Sequence, residues 1–179
     1  NEQDFGRRIK GQTLTQIYDK YFSDQPEAQQ EITAGLNVFE KSMSYEYISG
    51  VEAFIANLRN HGVKIAVVTS SNEEKMQNVY NAHPEFKGMV DRILTGEMFA
   101  RSKPAPDCFL LGMEIFEATP ENTYVFEDSF HGLQAGMTSG ATVIGLATTN
   151  TREAITGKAH YIIDDFTGMT YDKLLILHR

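Results

Sequence analysis

The alternation of short apolar runs with helical patterns is the feature that most constrains how this chain can fold. From Gly50 onward, apolar runs of strand length alternate with stretches of helical periodicity. Strands that alternate with helices of about ten residues form βαβ units, in which the strands are parallel. The sequence therefore predicts an α/β fold with a parallel sheet flanked by helices.

The predicted strands also indicate where functional residues should lie. In sheets of this type, ligands bind beyond the carboxyl ends of the strands. The predicted strands are 63–69, 92–95, 124–126, 141–146 and 161–163, and the predicted helices are 51–60, 72–81, 107–117, 129–138 and 171–177.

Residues 1–48 differ from the rest because they are polar and helical in pattern. Pro26 stands where a helix would begin. We predict a pair of antiparallel helices, which forms a unit distinct from residues 49–179. Apolar residues recur at three- and four-residue spacing in two stretches, first Ile9, Leu14, Ile17, Tyr18, Tyr21 and Phe22, then Ile32, Leu36, Phe39 and Met43.

Composition narrows the classes of partner and compartment. The net charge of −8 argues against a nucleic-acid or anionic-membrane partner. Cys108 is the only cysteine, so the sequence holds no internal disulfide framework, which is typical of a reducing compartment. No run reaches the roughly 18 apolar residues of a membrane span, and the first residues lack the pattern of a secretory signal. The expected location is the cytoplasm.

The first strand end carries hydroxyl side chains directly before a helix. Thr69 and Ser70 stand at the tip of the strand, and Asn72 stands at the helix start. Backbone N–H groups at such a turn can bind an anion, and a hydroxyl can add a further donor. The same residues also fit a plain capping box, in which Ser70 pairs with Glu73 or Ser71 pairs with Glu74. The pattern alone leaves both interpretations open.

The second and third strand ends carry charged residues. Lys103 lies in the segment SKPAPD, where two prolines hold the chain extended and present a compact positive charge. Glu127 and Asp128 end a buried strand, and two adjacent carboxylates repel each other unless a cation compensates them. Mg²⁺ is a natural cation for such oxygens. The alternatives are a solvated loop lysine, and an N-cap at Asp128 beside a solvated Glu127.

Together these segments resemble the haloacid dehalogenase (HAD) superfamily, and within it the β-phosphoglucomutase-like phosphatase branch. The segment VVTSS resembles its second motif, SKPAPD its lysine-bearing third, and VFEDSFHG with the later ATVIGL its acidic fourth. The resemblance implies a Rossmann-like core over 49–179 and the remainder of a helical cap over 1–48. It also implies magnesium-dependent hydrolysis of small phosphorylated metabolites through an aspartyl-phosphate.

The resemblance further assigns a role to each matching residue. Thr69 and the backbone around Ser70 would bind the transferring phosphoryl group, and Lys103 would neutralise its charge. Asp128, with Glu127, would hold Mg²⁺. Ser129 and Asn72 would support the surrounding loops.

The sequence departs from the family where the nucleophile is expected. The first motif of the family is an apolar strand that ends in Asp-x-Asp-Gly-Thr, and no such string occurs here. Asp4, Asp19 and Asp24 stand outside any apolar run, and we assign the nucleophile to none of them. The expected source is a segment before Asn1 that is nicked, disordered or absent from the record. In the family this strand lies between those ending at Thr69 and Glu127, so we expect the chain alone to be unstable and inactive.

Two alternatives to a phosphatase remain. Sugar-phosphate mutases of this branch carry a cap arginine after a Gly-x-Ser/Thr stretch, whereas here Leu14 follows that stretch. The basic residues Arg7, Arg8 and Lys10 could substitute, or they could be solvated helix charges. The second alternative is a non-catalytic HAD-like binding protein. The missing nucleophile favours that alternative, and the otherwise complete motifs argue against it.

Overall fold

The computed structural model of the protein describes residues 2–9 and 12–177. Its helices are α1 (Glu2–Ile9), α2 (Leu14–Tyr21), α3 (Pro26–Ser42), α4 (Val51–Asn60), α5 (Glu73–Ala82), α6 (Phe86–Met89), α7 (Asp107–Ile115), α8 (Phe130–Ser139), α9 (Arg152–Ile155) and α10 (Tyr171–Ile176). Its strands are β1 (Ala66–Val68), β2 (Arg92–Leu94), β3 (Tyr124–Glu127), β4 (Thr142–Leu146) and β5 (Tyr161–Ile163). In the described part of the chain, no helix is long and apolar enough to cross a membrane.

The strands form two parallel sheets. β1 pairs with β2, with Val67 opposite Ile93. β4 lies between β3 and β5, with Val143 opposite Val125. Every strand pair among the described residues is parallel, which confirms the predicted α/β class. Within 2–9 and 12–177, no ladder joins β1 to β3.

Local hydrogen bonds set several element boundaries close to their predicted positions. The Asn72 side chain accepts from the backbone N–H of Lys75 and begins α5. The Ser129 hydroxyl accepts from the backbone N–H of Gly132 and begins α8. Helix 51–60 and strand 161–163 have their predicted bounds, whereas the predicted strand 63–69 is shortened to β1.

The N-terminal part contains three helices, so the predicted pair is wrong in number. Thr13 and Gln16 form a capping box that begins α2 at Leu14, five positions after the end of α1 at Ile9. The longer α3 has Pro26 in its first turn, as predicted. The described contacts of these helices with the rest of the chain include an ion pair of 2.5 Å between Lys75 of α5 and Glu40 of α3.

The core lies on both faces of β4. Val143 packs in a cluster with the buried faces of α7 and α8, and its neighbour Ile144 packs in a second cluster with α4 and α10. This alternation follows from the two-residue period of a strand. Cys108 is a buried member of the first cluster, and burial raises the pKa of its thiol. It therefore behaves as the small hydrophobe that the sequence predicted.

An apolar cleft of about 710 Å³, here called the central cleft, lies between β1 and β3. Residues 63–68 line one wall, and residues 121–127 line the opposite wall. Phe109 of α7 contributes to the lining, as do Phe54 of α4 and Leu174 of α10. The cleft therefore occupies the layer of the sheet itself, between helices on both faces.

Candidate active site

Lys103 is a buried lysine at the carboxyl-end mouth of the central cleft. The residue is 5% exposed, and its ammonium group pairs with Glu127 Oε1 at the end of β3. The Nζ atom also lies 3.5 Å from the backbone carbonyl oxygen of Val68, the last residue of β1. One cation thus contacts both strand ends that flank the cleft. The solvated-loop alternative for Lys103 is wrong.

The carboxylate of Glu127 is held by protein donors on both oxygens. Lys103 bonds to Oε1, and Oε2 accepts from the backbone N–H groups of Asp128 at 3.2 Å and Ser129 at 3.3 Å. The Ser129 hydroxyl donates to Oε2 as well, at 3.1 Å. A Cβ atom at Gly132 would overlap this carboxylate, so a side chain there would displace it. Glu127 is therefore placed to orient Lys103, and its role as a metal ligand stays a prediction.

Asp128 is contacted by two residues that follow β4. The Thr149 hydroxyl donates to Asp128 Oδ2, and Asn150 Nδ2 donates to the Asp128 carbonyl oxygen at 2.8 Å. Asn150 is buried, and its Oδ1 atom has no hydrogen-bond partner among the described residues. The N-cap of α8 is Ser129 rather than Asp128, so the capping alternative for Asp128 is wrong.

Thr149 and Asn150 were not among the predicted site residues. Both lie just beyond the carboxyl end of β4, where the strand-end rule could have found them. Their sequence surroundings contain no familiar pattern, and this is why the sequence analysis passed over them.

The turn after β1 keeps its predicted hydroxyl residues. The backbone N–H of Thr69 donates to the Leu94 carbonyl oxygen at 2.9 Å, and its Oγ1 accepts from the N–H of Ser71 at 3.1 Å. Asn72 caps α5, so neither capping box proposed for Ser70 and Ser71 forms. Thr69 directly follows Val68, whose carbonyl oxygen contacts Lys103, and so the first and second predicted sites meet.

The oxygen ligands available to a metal ion are few. Among residues 2–9 and 12–177, no group of three or more His, Cys, Asp or Glu side chains could hold a metal ion. The Asp128 carboxylate and the unpartnered Asn150 Oδ1 are hard oxygen donors, and they belong to two residues that are joined by the bond from Asn150 Nδ2 to the Asp128 carbonyl oxygen. Mg²⁺ usually binds one or two carboxylates and completes its shell with water and substrate oxygens. This small oxygen set fits Mg²⁺.

A second pocket of about 400 Å³, here called the polar pocket, lies between α2 and the loop before α7 that contains Lys103, here called the Lys103 loop. Gln16 Nε2 donates to the Lys103 carbonyl oxygen at 3.3 Å and joins its two sides. His131 of α8 also lines it, and the buried His131 Nδ1 has no hydrogen-bond partner among the described residues. Its lining residues are Gln12, Gln16, Asp19, Lys20, Lys103, Pro104 and His131.

Comparison with known proteins agrees with this arrangement. Residues 2–146 match the family model of the haloacid dehalogenase-like hydrolases. The chain belongs to this family. It is 30% identical over 101 residues to hexitol phosphatase A of Escherichia coli, a match that covers 55% of this chain and 45% of that protein.

Solved structures share the fold. A HAD hydrolase of family IA, variant 3, from Entamoeba histolytica superposes with a TM-score of 0.81 at 22% identity and covers 97% of this chain and 82% of its own. The β-phosphoglucomutase of Clostridium difficile superposes with a TM-score of 0.77 at 18% identity and covers 98% and 81%. The predicted superfamily is thus confirmed, with a β-phosphoglucomutase among its structural neighbours. The chain spans about half, or less, of the length of the curated relatives that it matches.

Proposed function

We propose that the protein is a magnesium-dependent phosphatase of small phosphorylated metabolites that works through an aspartyl-phosphate. The observation that carries the proposal is the buried ammonium group of Lys103 at the mouth of the central cleft, in contact with the ends of both β1 and β3. Phosphoryl transfer depends chiefly on positioning and on neutralising negative charge spread over the phosphoryl oxygens. A fixed, buried cation between strand ends serves both needs.

Each residue of the site has a task in this proposal. Lys103 neutralises the phosphoryl oxygens and the attacking carboxylate, and Glu127 fixes the position of its ammonium group. Thr69 and the backbone around Ser70 donate hydrogen bonds to the phosphoryl group. Asp128 would hold Mg²⁺, with Glu127 as the second predicted ligand and the Asn150 amide oxygen as a further one. Bound Mg²⁺ would supply additional neutralisation of charge on the phosphate.

The nucleophile of this proposal comes from a strand that fills the central cleft. A residue in a sheet occupies roughly 4.8 × 10 × 3.3 Å, or about 160 Å³, given strand spacing, sheet spacing and rise. A cleft of about 710 Å³ is therefore large enough for several residues of one strand. A parallel strand there would pair with β1 and β3 and would end beside Lys103. A carboxylate at that end would meet the ammonium group, so we propose that this strand carries the nucleophilic Asp.

The two units follow from the same proposal. Residues 49–179 form the core that lacks this strand, and residues 1–48 form the remainder of a cap. The polar pocket between α2 and the Lys103 loop supports this division, because it lies where a cap would face a core. The cytoplasm is the proposed location, on the ground that the lone cysteine is a buried thiol.

The polar pocket offers few cations for the second phosphate that a mutase would hold. A mutase holds a remote phosphate, yet Lys20 is the only cation besides Lys103 that lines the polar pocket in the described part of the chain. Lys10 and the side chain of Arg7 lie outside the described residues, and Arg8 is exposed. A binding protein without catalysis would not require a buried lysine at this position. We therefore favour hydrolysis.

Activity measurements on the full-length protein, including any sequence before Asn1, test the proposal. We expect Mg²⁺-dependent release of phosphate from sugar phosphates, and loss of that release in Asp128→Asn. Lys103→Met should lower kcat by about 10²–10³, the loss seen when one stabilising group is removed. Lys87→Met is the matched control, because Lys87 is exposed and lines neither the central cleft nor the polar pocket. Magnesium-dependent turnover that survives in Asp128→Asn would refute the metal assignment.

A denaturing intact-mass spectrum tests the proposed source of the nucleophile. Purified active protein should contain an Asp-x-Asp segment, either in the same chain or as a nicked peptide that copurifies. An active sample with a single species of 20.1 kDa, the mass of this chain alone, would refute the added strand.

A further inference from the structure

The side chain of His131 raises a question that the catalytic residues do not answer. It lies on α8, two residues after the N-cap Ser129, and lines the polar pocket. Its Nδ1 atom is buried and has no partner among the described residues. A buried polar atom without a hydrogen bond destabilises the folded state. Such an atom beside a pocket is therefore expected to gain its partner from a ligand.

We infer that His131 is a specificity-determining residue, whose Nδ1 atom hydrogen-bonds a hydroxyl group on the leaving group of the phosphate ester. The inference rests on the proposed phosphatase function. Lys103 lines the polar pocket and its ammonium group lies at the mouth of the central cleft. A phosphoryl group held at Lys103 therefore directs the rest of the ester toward the pocket and His131.

The lining of the pocket selects the chemical class of the leaving group. Asp19, Gln12 and Lys20 line it from the N-terminal part, so it offers carboxylate, amide, ammonium and imidazole groups, and Pro104 is its one apolar lining residue among the described ones. A hydroxyl can donate and accept, so it suits His131 in either tautomer and also suits Asp19. A volume of about 400 Å³ lies within the usual range for small-molecule pockets. These features favour a small polyol or sugar over an apolar or aromatic leaving group.

The role of His131 is to orient and select, and not to transfer a proton. A site built to hydrogen-bond a hydroxyl rejects an analogue without it, because its own polar group is then left unpaired. His131 should therefore affect hydroxylated substrates only. A residue needed merely for the packing of α8 would affect every substrate alike.

The test compares two substrates with six carbons each, sorbitol 6-phosphate and hexyl phosphate, on the full-length protein. His131→Phe keeps an aromatic ring and removes both ring nitrogens. His131→Asn keeps a polar atom near the Nδ1 position. We expect His131→Phe to lower kcat/KM for sorbitol 6-phosphate about ten-fold or more and to leave hexyl phosphate within about two-fold. His131→Asn should recover most of the loss.

Controls separate a specific effect from a structural one. His61→Phe is the matched control, because His61 stacks on Tyr171, away from the pocket. Thermal melts of each variant check that it is folded. Equal losses of kcat/KM on both substrates in His131→Phe, or no loss on either, would overturn the inference.

A second measurement keeps this result distinct from failure of the phosphatase proposal. If the wild-type protein hydrolyses neither ester with Mg²⁺, then the proposed function fails. Calorimetric binding of the same two esters then tests His131 directly. A weaker affinity of His131→Phe for sorbitol 6-phosphate alone supports the inference, and an unchanged ratio of the two affinities overturns it.

Discussion

The two sheets, here called the two halves because they flank the central cleft, differ sharply in burial although both are built from apolar strands. All five residues of β4 are buried, whereas none of the three residues of β1 is. β4 has a strand on each side and helices on both faces, and β1 has a strand on one side and the central cleft on the other. Apolar sequence thus predicts a strand, but its neighbours in space determine how far it is buried.

The same contrast appears at the carboxyl ends of the strands. In the three-stranded half, Asp128 is contacted by Thr149 and Asn150, which follow the neighbouring strand. Across the cleft, the ammonium group of Lys103 makes polar contacts with the ends of both β1 and β3. Adjacent strands thus bring polar residues together on one side of β3. On the other side, where we propose that a strand belongs, a buried cation lies between the strand ends.

Filling the central cleft should change the stability of the protein more than any other test of this contrast. A synthetic peptide of five apolar residues followed by Asp should raise the melting temperature of residues 1–179, increasingly with peptide concentration. Burying each apolar side chain contributes about 1.5–3 kcal/mol, less about 1–2 kcal/mol for ordering its backbone. The control is the same peptide with alternate residues replaced by Lys. A single cooperative melt of the chain alone, unmoved by the peptide, would contradict the prediction.

Breaking the contact across the mouth of the cleft should have the next largest effect. Glu127→Gln leaves the ammonium group of Lys103 buried without its carboxylate, which costs about 3–5 kcal/mol of unfolding free energy. The double variant with Lys103→Met removes both charges and should recover part of that loss. Urea unfolding measures all three proteins. Equal stabilities of the Glu127→Gln variant and the wild type would show that this contact does not join the halves.

Truncating core residues should compare the two halves directly. Ile144→Ala in β4 should lower the unfolding free energy by about 2–5 kcal/mol, because it leaves a cavity at a fully buried site. Val67→Ala in β1 should cost less, because Val67 is partly exposed. The unfolding free energy lost in Val67→Ala should increase when the peptide fills the central cleft. Urea unfolding gives each value, and equal costs in the unfilled protein would mean that the cleft is closed in solution.

The smallest expected effect concerns pH and the segment that leads into α4. His83 bonds through Nε2 to the Tyr45 carbonyl oxygen, and this bond is the main cause of its raised pKa. Its Nδ1 atom lies 3.1 Å from Glu85 Oε1, and the charge of Glu52 acts in the same direction. A raised pKa stabilises the folded state most below the ordinary value of about 6.5, and this contribution is lost as pH rises through the folded pKa.

The sign of the pH effect can be checked in a variant without the imidazole. Unfolding free energy of the wild type should fall slightly between about pH 6 and pH 8, and that of His83→Gln should stay flat by comparison. Glu85 adds no slope there, because its pKa is lowered, chiefly by a backbone hydrogen bond, and it stays ionised. Burial raises the pKa of the neighbouring Tyr47 to about 12, so this phenol is also silent in that window. A wild-type stability that rises with pH would contradict the assignment.

The sequence by itself determined the class of the fold, most of its elements and the principal site residues. Asn72 and Ser129 cap their helices through hydrogen bonds to residues three positions away, and such short-range contacts can be read from neighbouring letters. Thr69, Lys103 and Asp128 were found because the strand-end rule and the family motifs depend on order along the chain. Their catalytic roles remain predictions.

Only the tertiary structure decided how these residues meet. It paired Lys103 with Glu127, brought Asn150 to Asp128, placed His131 in the polar pocket and opened the central cleft between β1 and β3. The physical reason is that these contacts join residues far apart in sequence, and the order of strands in the sheet sets their distances. Periodicity and capping patterns carry no information about that order.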